Sequence, residues 1–266
     1  MPQFLGQGFL SMKFPEQPPL TLFCFACAGA SASSYFRWRK NLPAWLRVQP
    51  VELPGRGTRI GDSLLRDFDC LVQQLSTELI PTLPTNYAFF GHSLGALLAY
   101  GCAHNLRVRR VHPPLALVAA CCAAPSRREE ERYRRLNSDE ELIQELRKLS
   151  GTPAAVFEHP DLLRMTIDVF GADIKVCASF RYERRDPLST NIFVFGGRDD
   201  DIEEKALEAW DLETSAQIKL EMFDGGHFFI RKEEGLFLHY LLNDLSSLTN
   251  TQHKNYEPRI IPTFHE

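Results

Sequence analysis

Tyr87-Ala88-Phe89-Phe90-Gly91-His92-Ser93-Leu94-Gly95-Ala96-Leu97-Leu98-Ala99-Tyr100 is the stretch on which the reading of this chain turns. Its first four residues form an apolar, strand-like run, and the residues from Leu94 onward are mostly small or aliphatic, as in a buried helix. Between them stands G-x-S-x-G, the layout of a nucleophile elbow, in which a serine sits on a sharp strand-to-helix turn. The two glycines permit that turn, so the Ser93 hydroxyl stands clear at the head of the helix. With Gly and Ser each near ~7% of residues, the pentapeptide alone arises by chance in roughly one chain of this length in ten. Its weight therefore comes from its flanks and from what the rest of the chain supplies.

A serine nucleophile needs a base. Asp224-Gly225-Gly226-His227-Phe228-Phe229 follows a strand-like segment, 217–223, and precedes a helical pattern from about Lys232 to Leu248. A histidine on a glycine-rich loop after a late strand is where an α/β-hydrolase presents its general base, which makes His227 the candidate. His92, His104, His112, His159, His239, His253 and His265 lack that setting and read as packed or solvated imidazoles. The His92 side chain is expected to point away from the reacting atoms.

The base in turn needs a carboxylate to orient it. Asn191-Ile192-Phe193-Val194-Phe195-Gly196-Gly197 reads as a buried strand ending in a turn, and Arg198-Asp199-Asp200-Asp201 follows. Asp200 lies three residues past Gly197, and Asp199 stands at the same offset from Gly196. Asp200 is preferred, with Asp199 open as the alternative. Asp201 and the unused member of that pair read as turn and cap residues ahead of a helix at 203–210. The chain order Ser93, Asp, His227 is that of α/β-hydrolases rather than of chymotrypsin or subtilisin. Three adjacent aspartates also have the composition of a cation site, but no further ligand cluster accompanies them. Neither a metal nor an organic cofactor is expected.

Thr21-Leu22-Phe23-Cys24-Phe25 is an early strand that runs into the small-residue loop Ala26-Cys27-Ala28-Gly29-Ala30-Ser31. Small residues let backbone approach a substrate, and one N–H here with the N–H of Leu94 has the makings of an oxyanion hole. At this point the chain resembles the type II thioesterases, the stand-alone hydrolases that accompany nonribosomal peptide and polyketide synthases. The resemblance rests on Cys24-Phe25, the loop Ala28-Gly29-Ala30-Ser31-Ala32-Ser33 and Trp38, and on Glu52-Leu53-Pro54-Gly55-Arg56-Gly57-Thr58-Arg59 after the next strand. The elbow, the Gly-Gly-acid turn and the Gly-Gly-His-Phe ending follow in the expected order. Ser138 to Leu142, Leu149 to Pro153 and Ala172-Asp173 match the family's middle region, so the likeness runs from about Leu20 to Leu248.

The resemblance implies Ala28 N–H and Leu94 N–H as the two oxyanion donors. It also implies a substrate, an acyl group on the phosphopantetheine arm of an acyl- or peptidyl-carrier protein, with acyl-CoA as a further form, and an editing role. The chain departs from the family at Ala26, Cys27 and Ala30 in the oxyanion loop, and at Phe170-Gly171 before the Ala-Asp pair. None of these is a triad position, so activity is expected, with altered acyl preference.

At 266 residues with a net charge of -4, the chain can bury one sizeable core and does not look like a nucleic-acid binder. No apolar run approaches the ~20 residues of a membrane span, and no secretory signal is seen. The seven cysteines show no paired zinc spacing: Cys24 and Cys27 belong to the first strand and loop, and Cys121-Cys122 to an apolar strand. Reduced thiols in a cytoplasmic protein are the expectation.

Strands are expected at 21–25, 48–53, 87–90 and 115–121, and helices at 31–41, 63–80 and 94–108. Alternation of this kind predicts an α/β fold with a mostly parallel sheet and helices on both faces, in one domain over 20–248. Residues 124–187 break the alternation. Ser138 and Glu141 form a capping-box pair, with Leu142, Ile143, Leu146 and Leu149 at helical spacing. Leu162, Leu163, Ile167, Val169, Phe170 and Ile174 suggest a second amphipathic helix. This segment reads as a helical lid inserted between core strands. Its charge run Arg127 to Arg135 is expected to be a solvated face, with Arg127, Arg128, Arg134 and Arg135 able to meet an acidic carrier protein. Residues 1–19 and 249–266 read as flexible arms.

The function expected is therefore a serine thioesterase. Three alternatives stand beside it: a small-molecule carboxylesterase, a releasing enzyme that cyclises its acyl chain, and a carrier-protein binding module without activity.

Overall fold

In the computed structural model, which describes residues 19–249, six strands form one parallel sheet. They are β1 (Leu20–Phe25), β2 (Leu46–Val51), β3 (Tyr87–His92), β4 (Ala116–Ala120), β5 (Asn191–Gly197) and β6 (Ile218–Phe223). The helices are α1 (Trp38–Asn41), α2 (Phe68–Leu79), α3 (Leu94–Val108), α4 (Glu130–Arg134), α5 (Asp139–Leu149), α6 (Ala154–Glu158), α7 (Pro160–Ser179), α8 (Glu204–Glu208), α9 (Phe229–Lys232) and α10 (Glu234–Ser247). The arms expected at 1–19 and 249–266 fall, but for Pro19 and Thr249, outside the described residues.

The strand order is β2-β1-β3-β4-β5-β6. The chain runs outward from β1 to β2, then crosses back to β3 on the other side of β1. That reversal opens a crevice at the carboxyl ends of β1 and β3, where doubly wound sheets place their ligands. The β1 loop and the elbow after β3 meet there.

Both faces of the sheet are covered, so β1 is buried throughout rather than exposing alternate residues. Phe23 and Phe25 pack into one core with α2, α3 and the C-terminal end of α7. Leu20, Leu22 and Cys24 pack into the other with Trp38 of α1 and Phe237, Leu241 and Leu245 of α10. The N-terminal part of α7 joins α5 in a third, smaller cluster of Leu142, Leu146, Ile167, Phe170 and Ile174. The insertion between β4 and β5 thus has a core of its own, anchored by one long helix in the main core. At the start of α5 the Ser138 capping box forms as expected: the Ser138 hydroxyl accepts from Glu141 N, and the Glu141 side chain accepts from Ser138 N.

Three helices differ from expectation, each for a tertiary reason. The segment 31–41 is a 3-10 turn, Ala32–Tyr35, followed by the short α1. The Ala32 amide donates to Glu52 Oε1 (3.0 Å), and the Tyr35 hydroxyl donates to Phe25 O (3.1 Å), which pulls the segment off a regular helix. Helix α2 starts at Phe68 rather than Ser63, because Asp67 caps the Cys70 amide and the Phe68 amide bonds Ser179 of α7. The last helix breaks at Glu233, with φ -106° and ψ 28°, between α9 and α10.

Two glycine substitutions should separate crowding from helix propensity. A Cβ on Gly95 would overlap the Phe25 carbonyl where α3 crosses β1, whereas nothing lies within 4 Å of one on the exposed Gly235. Gly95→Ala is expected to cost about 3 kcal/mol or prevent folding. Gly235→Ala should stabilise by about 0.5 kcal/mol. Urea melts of the two variants check the pair.

Candidate active site

Ser93 sits between β3 and α3 at φ 55° and ψ -117°. A non-glycine residue at positive φ costs on the order of 1–2 kcal/mol, and the surroundings impose it. The Ser93 amide donates to Ala120 O of β4 at 2.8 Å, while Gly91 and Gly95 fold so closely that a Cβ on Gly91 would meet the Gly95–Ala96 backbone. Leu94 opens α3, so its N–H is one of the helix-end donors without an intrahelical acceptor.

His227 and Asp200 come from neighbouring strand ends. His227 Nδ1 lies 2.8 Å from Asp200 Oδ2, with side chains only 13% and 6% exposed. Two glycine pairs permit this: a Cβ on Gly197 would overlap the carbonyls of Gly225 and Gly226, and Gly225 itself has φ +107°. The Asp199 amide donates to Gly225 O (2.9 Å), closing the two loops on one another. Asp199 is exposed. Asp201 turns outward to Lys148 and Arg132 of the insertion rather than capping α8, whose N-cap is Glu203.

Burial works to raise the Asp200 carboxyl, but the hydrogen bond and charge of His227 outweigh it and hold the carboxyl below its usual value. Cys121 follows β4 at φ 49°, with its thiol beside the Asp200 carboxylate. Burial first, and the Asp200 charge second, push that thiol well up, so it stays protonated. Ligating atoms of Cys121, Asp200 and His227 lie within 4.8 Å of one another. The carboxylate thus lies between a thiol and an imidazole, and its hydrogen bond is with the imidazole.

His92 departs from the sequence reading. It does not point away from the site: its Nε2–H donates to the His227 carbonyl at 2.8 Å, and the two rings are 5.3 Å apart. Burial, and secondarily the charge of His227, lower its pKa to about 3. It is therefore a neutral strut beneath the His227 loop. His104 is buried against Tyr100, His112 faces Pro84 O and His239 faces Asn243, all outside the site; His253 and His265 lie outside the described residues.

The loop after β1 turns between Cys27 and Ala30, whose amide donates to Cys27 O (3.1 Å), with Gly29 at φ +78° in the position that needs glycine. Ala28 occupies the other central position, and neither its N–H nor that of Leu94 donates a hydrogen bond among the described residues. The turn is held from outside. Asp173 of α7 accepts from the Gly29 amide at 2.8 Å and takes both arms of the Arg56 guanidinium at 2.5 and 2.7 Å, with side chains 1% and 6% exposed. Arg56 also donates to Ala30 O at 3.3 Å. Both residues were visible as motif members, Pro54-Gly55-Arg56 and Ala172-Asp173. No local spacing could pair groups 117 residues apart.

Ser93, His227 and Ala28 line one cavity of about 520 Å3, roofed by the insertion. Gly151 presses against the Phe228 ring beside His227, and Arg231 donates to Gly151 O at 2.6 Å. The departures at 170–171 have a packing basis: Phe170 sits 3.2 Å from where a Gly29 Cβ would be, and Gly171 admits Leu142 of α5. The run Arg127 to Arg135 is only partly a solvated face. Arg127, Arg134 and Arg135 are exposed, but Arg128 turns into the cavity and stacks on Tyr133, 4.7 Å from its ring centroid. Among the described residues no helix is long and apolar enough to cross a membrane.

A parallel sheet with an elbow after β3, an aspartate after β5 and a histidine after β6 defines an α/β-hydrolase fold. The chain belongs to the thioesterase domain family, whose model matches residues 20–243. It is 34% identical over 246 residues to the Brevibacillus parabrevis protein named linear gramicidin dehydrogenase LgrE, covering 91% of this chain and 94% of that one. Among solved structures it is similar to ClbQ from the colibactin NRPS/PKS pathway, with TM-score 0.81 and 28% identity over 86% of this chain and 98% of that one. The type II thioesterase BorB from the borrelidin biosynthetic cluster matches with TM-score 0.76 and 30% identity, over 88% and 94%. The protein is a thioester hydrolase, and its motif resemblance to type II thioesterases holds along the chain.

Two variants probe the supports of the site. Asp173→Asn leaves the buried Arg56 guanidinium without its counter-charge and is expected to cost about 3 kcal/mol or more in a urea melt. His92→Gln tests the neutral strut. Because the folded His92 pKa lies below the unfolded value near 6.5, its contribution is full above that pH. It is lost as pH falls toward 3, at up to about 1.4 kcal/mol per pH unit. Between pH 6 and 4 the wild type should lose stability more steeply than His92→Gln by about that slope; equal slopes would contradict the assignment.

Proposed function

We propose that this thioesterase hydrolyses acyl groups from the phosphopantetheine arm of acyl- or peptidyl-carrier proteins in nonribosomal peptide or polyketide assembly, removing stalled or wrong acyl chains. The observation that carries the reading is the Asp200–His227 hydrogen bond, with His227 lining the same cavity as the elbow Ser93. The names of the similar proteins, from colibactin and borrelidin biosynthesis, support the pathway class.

In the proposed mechanism Ser93 Oγ attacks the thioester carbonyl while His227 accepts its proton, and Asp200 keeps Nδ1–H of the imidazole pointing away from Ser93. No Ser93–His227 hydrogen bond forms among the described residues, and such contacts commonly tighten only when substrate is bound. The oxyanion of the tetrahedral intermediate lies between the N–H groups of Ala28 and Leu94, each worth about 3–4 kcal/mol by analogy with measured oxyanion donors. The C–S bond breaks, and the pantetheine thiol leaves with the proton from His227. Water then attacks the acyl-Ser93 ester with His227 as base, releasing the acid and restoring the serine. A thioester carbonyl is electrophilic enough for this triad to act without a further activating group.

The insertion, with its separate small core, serves as the lid. The exposed Arg127, Arg134 and Arg135 offer the carrier protein a basic contact, and coenzyme A, which ends in the same arm, supplies acyl-CoA as a second substrate form. Seven free cysteines support a reducing, cytoplasmic setting.

Thiol release from an acyl-phosphopantetheinyl carrier protein tests the reading. Ser93→Ala and His227→Ala should each lower kcat by at least ~1000-fold, and Asp200→Asn should fall in the same range. Binding without hydrolysis by the wild type would instead favour a carrier-protein binding module, and faster cleavage of a matched oxyester would favour a carboxylesterase.

A further inference from the structure

Arg128 is not used by the mechanism. It follows the turn Pro125–Arg127 and enters the cavity that holds Ser93 and His227. Its guanidinium stacks on Tyr133 and lies 5.9 Å from the centroid of Phe180. Nη1 reaches Cys122 Sγ at 3.7 Å, a weak acceptor, and Nη2 is buried with no partner. No carboxylate among the described residues forms a salt bridge with it.

The other charges around the cavity are placed differently. Arg132 bonds Glu145 at 2.9 Å and approaches Asp201 at 3.7 Å. Arg127, Lys205, Glu129 and Glu203 are exposed. The cavity lining also includes Phe170, Ile174, Cys177 and Ala28, none of which carries a charge.

A guanidinium has five N–H donors and no acceptor, so an incomplete set of partners leaves it able to bind oxygen. Enclosing an unpaired cation costs several kcal/mol, which aromatic stacking offsets only in part. If the cavity received only alkyl chains, Arg128 would meet each of them as an unmatched charge.

We propose that Arg128 is a specificity-determining residue that receives an oxygen acceptor on the acyl chain, a carboxylate most strongly, while the thioester carbonyl lies at Ser93. This rests on the reading of the cavity as the acyl site. The chemical class selected is the monothioester of a dicarboxylic acid or a similarly oxygenated acyl group. An aminoacyl chain, whose ammonium would face the guanidinium, is disfavoured.

The test uses the full chain and pantetheine thioesters in isosteric pairs: succinyl against 4-methylpentanoyl, and glutaryl against 5-methylhexanoyl. Within each pair the readout is the ratio of kcat/KM, anionic over neutral. Arg128→Met is expected to lower that ratio at least tenfold for one or both pairs. Arg128→Lys, which keeps the charge without the fork, should retain more of it. Thermal melts establish that both variants are folded, and the ratio in the wild type stands by itself if Arg128→Met is not. Equal ratios in the wild type and Arg128→Met would overturn the proposal, as would a wild type that cleaves the alkyl members and not the dicarboxylic ones. Failure to cleave either member would instead remove the acyl-site reading on which it rests.

Discussion

The close crossing of α3 over the carboxyl end of β1 is the constraint on which the rest of the molecule depends. Gly95 leaves room for no side chain against the Phe25 carbonyl, and Gly91 leaves none against the turn that follows it. This contact sets Ser93 at positive φ and brings the first amide of α3 beside the loop that leaves β1. It also falls where the strand order reverses, so the crevice and the strained serine coincide. Opposite, the glycine pairs Gly196-Gly197 and Gly225-Gly226 do for the ends of β5 and β6 what the elbow glycines do for β3. They let two loops touch through backbone, which brings Asp200 and His227 into one hydrogen bond.

Around this framework the buried Arg56–Asp173 pair performs a joining task. Its carboxylate comes from the insertion, its guanidinium from the loop after β2, and its third contact is the amide of Gly29 in the loop after β1. Taking two charges out of water is costly, and an isolated buried pair contributes little net stability. Here the carboxylate also accepts a backbone amide, and so the cover is tied to the loop that carries Ala28. On the other side the insertion meets the His227 loop through Gly151, Phe228 and Arg231. The covering helices are thus fastened to both halves of the proposed catalytic apparatus.

The strands and the order of the motifs were legible in the sequence because each is a local pattern: largely apolar runs, with glycine at or just past the ends of β3, β5 and β6. Helix α3 was read to the residue, and the aspartate that bonds His227 is Asp200 rather than Asp199. What could not be read was set by distant contacts. The segment after Ser31 breaks into two short pieces because Glu52 and Phe25 bind it from other elements. His92 reaches the His227 loop 135 residues away, where it looked like an elbow residue facing elsewhere. Arg128 sits in a run of alternating charge that reads as solvent-facing, and only the positions of Tyr133 and Phe180 turn it inward.

The central claim is that an acyl chain passes covalently through Ser93. Rapid-quench mass spectrometry of the wild type mixed with an acyl-pantetheine thioester, followed by peptide mapping, tests it most directly. The acyl mass should appear on the peptide containing Ser93 during turnover, decay as free acid forms, and be absent from Ser93→Ala. Steady hydrolysis with no acylated peptide, and with Ser93→Ala still turning over, would contradict it.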